Sequence, residues 1–88
     1  MIKTIRQTDQ FGKYWCIENT RIFHRKNGPA VENSNGSKYW LQHGKYHRLD
    51  GPAVEWKNGS RVWYYQGQFI DVNNQQDFER YLNLMAFE

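Results

Sequence analysis

The chain is poor in most of what usually holds a small protein together. It has a single cysteine, Cys16, so no internal disulfide can staple it. Leu, Ile, Val and Phe together make 18 of the 88 residues, close to the roughly 20% below which chains tend to stay disordered. No apolar run approaches the ~18 residues of a membrane span, and residues 1–6 lack the apolar stretch of a secretion signal. No membrane partner and a cytoplasmic location are therefore the expectation. Signatures of catalysis are also missing. There is no serine in a nucleophile elbow, no motif around Cys16, no distinguishable pair of catalytic carboxylates and no phosphate-cradling glycine loop. His24, His43 and His47 lack the thiolates or close ligand pairs of a structural zinc site. The expectation is a non-enzyme with no metal and no cofactor.

What the chain has instead is rings. Four Trp, six Tyr and five Phe give 17% aromatic residues. Each ring can bury roughly 150–250 Å², so a few can replace many aliphatic side chains. An ordered domain with a thin, ring-packed core is expected, since a chain of this size buries only about 60–65% of its unfolded surface.

Charge is unevenly placed. Residues 1–70 hold 11 of the 12 basic residues against five acids, whereas residues 71–88 hold Arg80 against Asp71, Asp77, Glu79 and Glu88. A basic body suits an acidic protein surface or nucleic acid. It is equally the solubilising surface of an ordinary domain.

The strongest signal is internal repetition. His24-Arg25-Lys26-Asn27-Gly28-Pro29-Ala30-Val31-Glu32 returns 23 residues later as His47-Arg48-Leu49-Asp50-Gly51-Pro52-Ala53-Val54-Glu55. Between residues 24–46 and 47–69, 12 of 23 positions are identical without a gap, including Asn-Gly-Ser, a Trp (Trp40, Trp63) and a Gly (Gly44, Gly67). Tyr14-Trp15 begins a degenerate half-unit before them. Repeats of this length usually stack one supersecondary unit on the next. Asn35-Gly36 and Asn58-Gly59 lie between apolar stretches (30–34 and 37–42, 53–57 and 60–66), the pattern of a hairpin with a type I′ turn. Gly44 and Gly67 mark a second turn, and Gly28-Pro29 and Gly51-Pro52 a third break.

A helix is expected to close the chain. Asn74 with Asp77 three residues on makes an N-cap pairing, and Phe78, Tyr81, Leu82 and Met85 fall at i, i+3, i+4 and i+7. That stripe should pack on the sheet and cover its open end. The predicted fold is mainly β: an antiparallel meander of β-hairpin repeats with one C-terminal helix capping the sheet. One domain spans 1–88, divided into N-terminal strands and half-repeat (1–23), repeat one (24–46), repeat two (47–69), and linker plus helix (70–88).

The 23-residue period, the Asn-Gly turns and the spacing of Trp40, Gly44 and His47 resemble variant MORN-type β-hairpin repeats. More closely, His-Arg-x-(Asn/Asp)-Gly-Pro-Ala-Val-Glu followed by Asn-Gly and Trp is similar to the repeat of many small bacteriophage proteins. The resemblance covers residues 14–70. It departs at Ile70-Asp71, where a further His-Arg would begin, and in a glycine spacing unlike the standard MORN repeat. It implies a phage accessory product that binds a host protein or defence system, an anti-defence inhibitor of the anti-CRISPR kind, acting in the host cytoplasm.

Positions that recur are expected to be scaffold: His24, Arg25, Gly28, Pro29, Glu32 and Trp40, and their counterparts His47, Arg48, Gly51, Pro52, Glu55 and Trp63. The histidines are expected to bond backbone or the glutamates, and the glutamates to pair with arginines of neighbouring units. Positions that change between units are the better candidates for function. The second unit is richer in rings, and Trp56, Lys57, Arg61, Tyr64 and Tyr65 form the candidate partner patch, being residue types enriched at binding hot spots. The alternative reading is a small nucleic-acid binder in which Lys38, Lys57 and Arg61 meet phosphates while Tyr64 and Tyr65 stack on bases. A third is a homodimer paired through open sheet edges.

Overall fold

The computed structural model describes residues 2–86. Among the described residues, nine strands precede one helix: β1 (Thr4–Asp9), β2 (Gly12–Ile17), β3 (Val31–Asn33), β4 (Lys38–Tyr39), β5 (Leu41–Gln42), β6 (Lys45–Tyr46), β7 (Val54–Glu55), β8 (Arg61–Tyr65), β9 (Gln68–Ile70) and α1 (Gln75–Met85). Seven strands form one antiparallel sheet in the order β1-β2-β3-β4-β7-β8-β9, and β5-β6 form a second, two-stranded sheet. The meander is thus interrupted once. The chain leaves the main sheet after β4, makes the β5-β6 hairpin, and returns as β7 beside β4. No helix of the described residues is long and apolar enough to cross a membrane.

The turns differ from the expectation in their chemistry. Asn35 and Asn58 do not adopt positive φ; only the glycines after them do, at 100° and 92°. The Gly36 amide bonds the Asn33 carbonyl (2.9 Å) and the Asn33 amide bonds the Ser37 carbonyl (2.9 Å), with the same pair at Gly59/Trp56 and Trp56/Ser60. Each is a three-residue loop with a left-handed glycine at its end. The asparagine keeps a negative φ and its side chain caps the loop instead, Oδ1 accepting from the Ser37 or Ser60 backbone amide at 2.9 Å. Both central residues are at positive φ, as type I′ requires, at His43-Gly44 (52°, 78°) and Gln66-Gly67 (49°, 85°). These two-residue turns close β5-β6 and β8-β9.

Register sorts the side chains onto two faces, because residues directly opposite each other share a face. Tyr14, Val31, Tyr39, Val54 and Val62 form one row across five strands. Lys13, Glu32, Lys38, Glu55 and Arg61 form the next row, on the opposite face. The first is called the aromatic face, the second the charged face. Trp15, Trp40 and Trp63 each lie two residues beyond a cation of the charged row and so belong to the charged face as well.

The core is correspondingly divided. Ala30, Val31 and Leu41 are buried with Tyr14, Tyr39 and Tyr46 packed on them. Trp63, Ile70 and Phe78 make a second cluster with Tyr65, Val72, Tyr81 and Leu82. The second cluster is where α1 seats, on the charged face. Its N-cap is Asn74, whose side chain accepts the Asp77 amide at 2.8 Å. Phe78 leads the buried stripe, as the 3.6-residue period predicts.

Candidate interaction faces

On the charged face the repeated residues lock one unit to the next. The Arg25 guanidinium lies 3.8 Å from the centroid of Trp15, and that of Arg48 lies 3.8 Å from the centroid of Trp40. Beneath each arginine is the glycine of its own unit. A Cβ on Gly28 would stand 2.9 Å from Arg25 Cζ, and one on Gly51 would stand 2.6 Å from Arg48 Cζ. Arginine therefore fills a slot between the previous unit's indole and its own Gly-Pro loop. Its Nη1 donates to the Pro29 or Pro52 carbonyl (3.1 Å in both) and to Glu32 or Glu55 (3.2 and 3.0 Å). Arg48 also gives Nε to Asp50 at 3.0 Å. The glutamates thus pair with the arginine of their own unit rather than a neighbour's, because the Gly-Pro bend folds residue 32 or 55 back over residue 25 or 48. The cation–ring stack is what crosses between units.

Each repeated histidine holds the type I′ turn that follows it. His24 Nδ1 accepts the His43 amide, and His47 Nδ1 accepts the Gln66 amide, both at 2.9 Å. The partner is backbone, not glutamate. An accepting Nδ1 carries no proton, so the imidazole must be neutral. Burial, reinforced by the neighbouring His43, holds the His24 pKa below its ordinary 6.5, and burial does the same to His47. The unfolded chain then binds these protons more readily, so their contribution to stability is complete above pH 6.5 and is lost as pH falls below it. The melting temperature should fall as pH drops below 6.5, before the carboxylates titrate. In the double variant His24→Gln, His47→Gln that slope should flatten in a thermal melt series. An unchanged slope would show that the histidines are not its source.

The third indole is handled differently. Asp71 stands where the next arginine would be, and Trp63 is covered instead by α1, its Nε1 donating to Gln75 Oε1 at 2.8 Å. Gln75 Nε2 in turn donates to the Leu49 carbonyl at 3.0 Å. The helix thus takes the place of a missing unit.

The aromatic face is covered only in its middle, where Leu41 and Tyr46 of the β5-β6 hairpin pack with Ala30, Val31, Tyr14 and Tyr39. Five rings touch in series along it: Trp56 edge-on to Tyr39 (5.6 Å), Tyr39 to Tyr46 (6.2 Å), Tyr46 to Tyr64 (4.9 Å), and Tyr64 edge-on to Phe69 (6.0 Å). Its ends are open, with Trp56 44% and Phe69 57% exposed. Burial, with Tyr39 and Tyr64 alongside, pushes the Tyr46 phenol up from its ordinary value. Further along the same face Tyr14 stacks on Phe23 at 6.2 Å, opposite buried Cys16. Burial pushes the Cys16 thiol up, away from the reactive thiolate.

The five patch residues divide between the faces. Trp56 and Tyr64 stand together in the ring series, with exposed Lys57 beside Trp56 in the turn. Arg61 and Tyr65 lie on the charged face, where Tyr65 packs on the helix cluster and sits 5.2 Å from the His47 ring. The residues that complete the aromatic face are Tyr39, Tyr46 and Phe69, and alternation alone marks Phe69 as cross-strand partner of Tyr64. Of the rings in the stacking arrangement, Tyr64 faces away from Lys38 and Arg61, while Tyr65 shares their face but packs on the helix cluster. Among the described residues no group of three His, Cys, Asp or Glu is placed to hold a metal ion.

Comparison with protein-family models, with curated proteins and with solved structures finds no match to this chain.

Proposed function

We propose that this chain is a non-catalytic accessory protein of the bacteriophage type, built on MORN-like hairpin repeats, which docks its aromatic face on a host protein and thereby inhibits or redirects it. A bacterial defence system is the class of target that the repeat resemblance implies. The observation that carries the docking is the unbroken ring series Trp56-Tyr39-Tyr46-Tyr64-Phe69 on the face opposite α1. A contiguous ring series with exposed ends at Trp56 and Phe69 and half-buried rings between them is of the kind that marks interaction sites, and Trp and Tyr supply large contact area at small entropic cost. The charged face supports the division of labour, because its repeated residues are already engaged with one another.

The test is capture from bacterial lysate on immobilised protein, side by side with Trp56→Ala. The wild type should retain one specific protein. The variant should bind it at least about 30-fold more weakly, the loss expected of a hot-spot indole worth ~2 kcal/mol. Recovery of no specific protein, or equal recovery by the variant, would remove the proposal.

A further inference from the structure

The charged face carries cations that the carboxylates of the sheet do not neutralise, the acids Asp71, Asp77 and Glu79 lying on the segment that seats at its Trp63 end. Every acid within residues 1–70 is engaged. Glu32 and Glu55 are held by Arg25 and Arg48, Asp50 by Arg48, Glu18 by Lys3, and Asp9 accepts the Phe11 and Gly12 amides. Lys13, Lys38 and Arg61 make no ion pair among the described residues. All three are exposed, and all three belong to one register row, on every second strand. At about 4.8 Å per strand they stand roughly 10 Å apart over ~20 Å. The row is a product of the repeat: Lys38 and Arg61 are 23 residues apart, at equivalent positions.

We propose that this row is a track for the phosphate backbone of a nucleic-acid duplex, bound without reading its sequence. A duplex is favoured over a single strand because no indole of the charged face is free beside the row, and Tyr65 packs on the helix cluster. Trp15 and Trp40 are already capped by arginine, and Trp63 lies under α1. Bases that approach the row therefore find no free indole on which to stack. An acidic protein is the weaker fit, since a protein hot spot needs an apolar anchor seated among the charges, whereas closely spaced phosphates meet a row of any spacing. Two flanking glutamates do not cancel the row, because the arginines that hold them add as much positive charge as they remove. This activity uses the face opposite the protein-docking surface and stands or falls separately from it.

The experiment is fluorescence anisotropy of a labelled, random-sequence DNA duplex of ~20 base pairs with the full chain, from about 50 to 200 mM salt. Three phosphate contacts predict a slope of log affinity on log salt of about −2.7. Lys38→Gln and Arg61→Gln should each make that slope shallower by about 0.9 and weaken binding at low salt. Trp56→Ala should leave both unchanged. Circular dichroism checks that each variant is folded, and Lys13→Gln supplies a third position if one is not. Polyglutamate is run in parallel. Absence of binding at about 50 mM salt, or an unaltered slope in the folded variants, overturns the proposal. So does binding of polyglutamate without the duplex, which would assign the row to an acidic protein.

Discussion

Phe78→Ala should lower the unfolding free energy by about 3–5 kcal/mol, the range for truncating a fully buried ring. Phe78 has no exposed surface and packs directly with Trp63 and Ile70, the other two buried members of its cluster. Removing it leaves a cavity under α1 that neither neighbour can fill, as Trp63 is tied to Gln75 through its indole nitrogen. At about 4–8 °C per kcal/mol for a domain of this size, the melting temperature should drop by roughly 12–40 °C. Helical circular dichroism should be lost with or before the strand signal, because an isolated helix of 11 residues is marginal in water. Leu84→Ala on the same helix is the control. That side chain is 65% exposed and its loss should cost no more than about 0.5 kcal/mol. A Phe78→Ala variant that melts within about 4 °C of the wild type would mean that α1 is not part of the core.

Arg48→Ala should cost about 2–3 kcal/mol, and Arg48→Lys should recover little of it. The guanidinium is stacked on Trp40 and donates to Pro52, Glu55 and Asp50. Its side chain is only 20% exposed, so these contacts are partly shielded from water, and its loss leaves Glu55 and the Pro52 carbonyl without that donor. A lysine cannot stack flat between an indole and a glycine backbone. Arg25→Ala should cost less, since Arg25 lacks an acid equivalent to Asp50 and its side chain is 30% exposed. Gly51→Ala approaches the same slot from below: its Cβ would lie 2.6 Å from Arg48 Cζ, displacing the guanidinium from the ring. Chemical denaturation of the four variants should rank Arg48→Ala with Arg48→Lys, and both above Arg25→Ala. Equal stability of Arg48→Lys and wild type would show that the charge alone matters and the stack does not.

Much of this architecture can be read along the chain, and the parts that cannot share a physical reason. The 23-residue repeat marks Arg25/Arg48, Glu32/Glu55, Gly28/Gly51 and the tryptophans as serial parts, and the charged face shows them joined to one another. The closing helix is local information, carried by Asn74, Asp77 and the stripe from Phe78, and it forms as that pattern requires. Non-local contacts are another matter. His24 reaches an amide 19 residues away and thereby fixes a turn at His43, a residue that takes positive φ far less readily than glycine. The Asn-Gly signal, by contrast, is locally ambiguous, because an asparagine side chain can cap a three-residue loop as well as take a left-handed conformation itself. The aromatic face is hidden for the same reason. Tyr39, Tyr46 and Tyr64 come from three different strands, and their contact depends on the β5-β6 hairpin leaving the main sheet, a departure that the Gly44 turn alone does not announce. Tyr64 and Tyr65 are adjacent in sequence and on opposite faces in the sheet, so a patch drawn along the chain mixes two surfaces.

The central claim is that recurring residues build the sheet while the open ring series binds. It is tested most directly by measuring stability and lysate capture together for Trp56→Ala and Arg48→Ala. Trp56→Ala should cost about 1 kcal/mol, the worth of its edge contact with Tyr39, and abolish capture. Arg48→Ala should cost about 2–3 kcal/mol and, at a temperature where it remains folded, capture the same protein as the wild type. The reverse pattern, with capture intact in Trp56→Ala and lost in folded Arg48→Ala, would contradict the account and move the binding surface to the charged face.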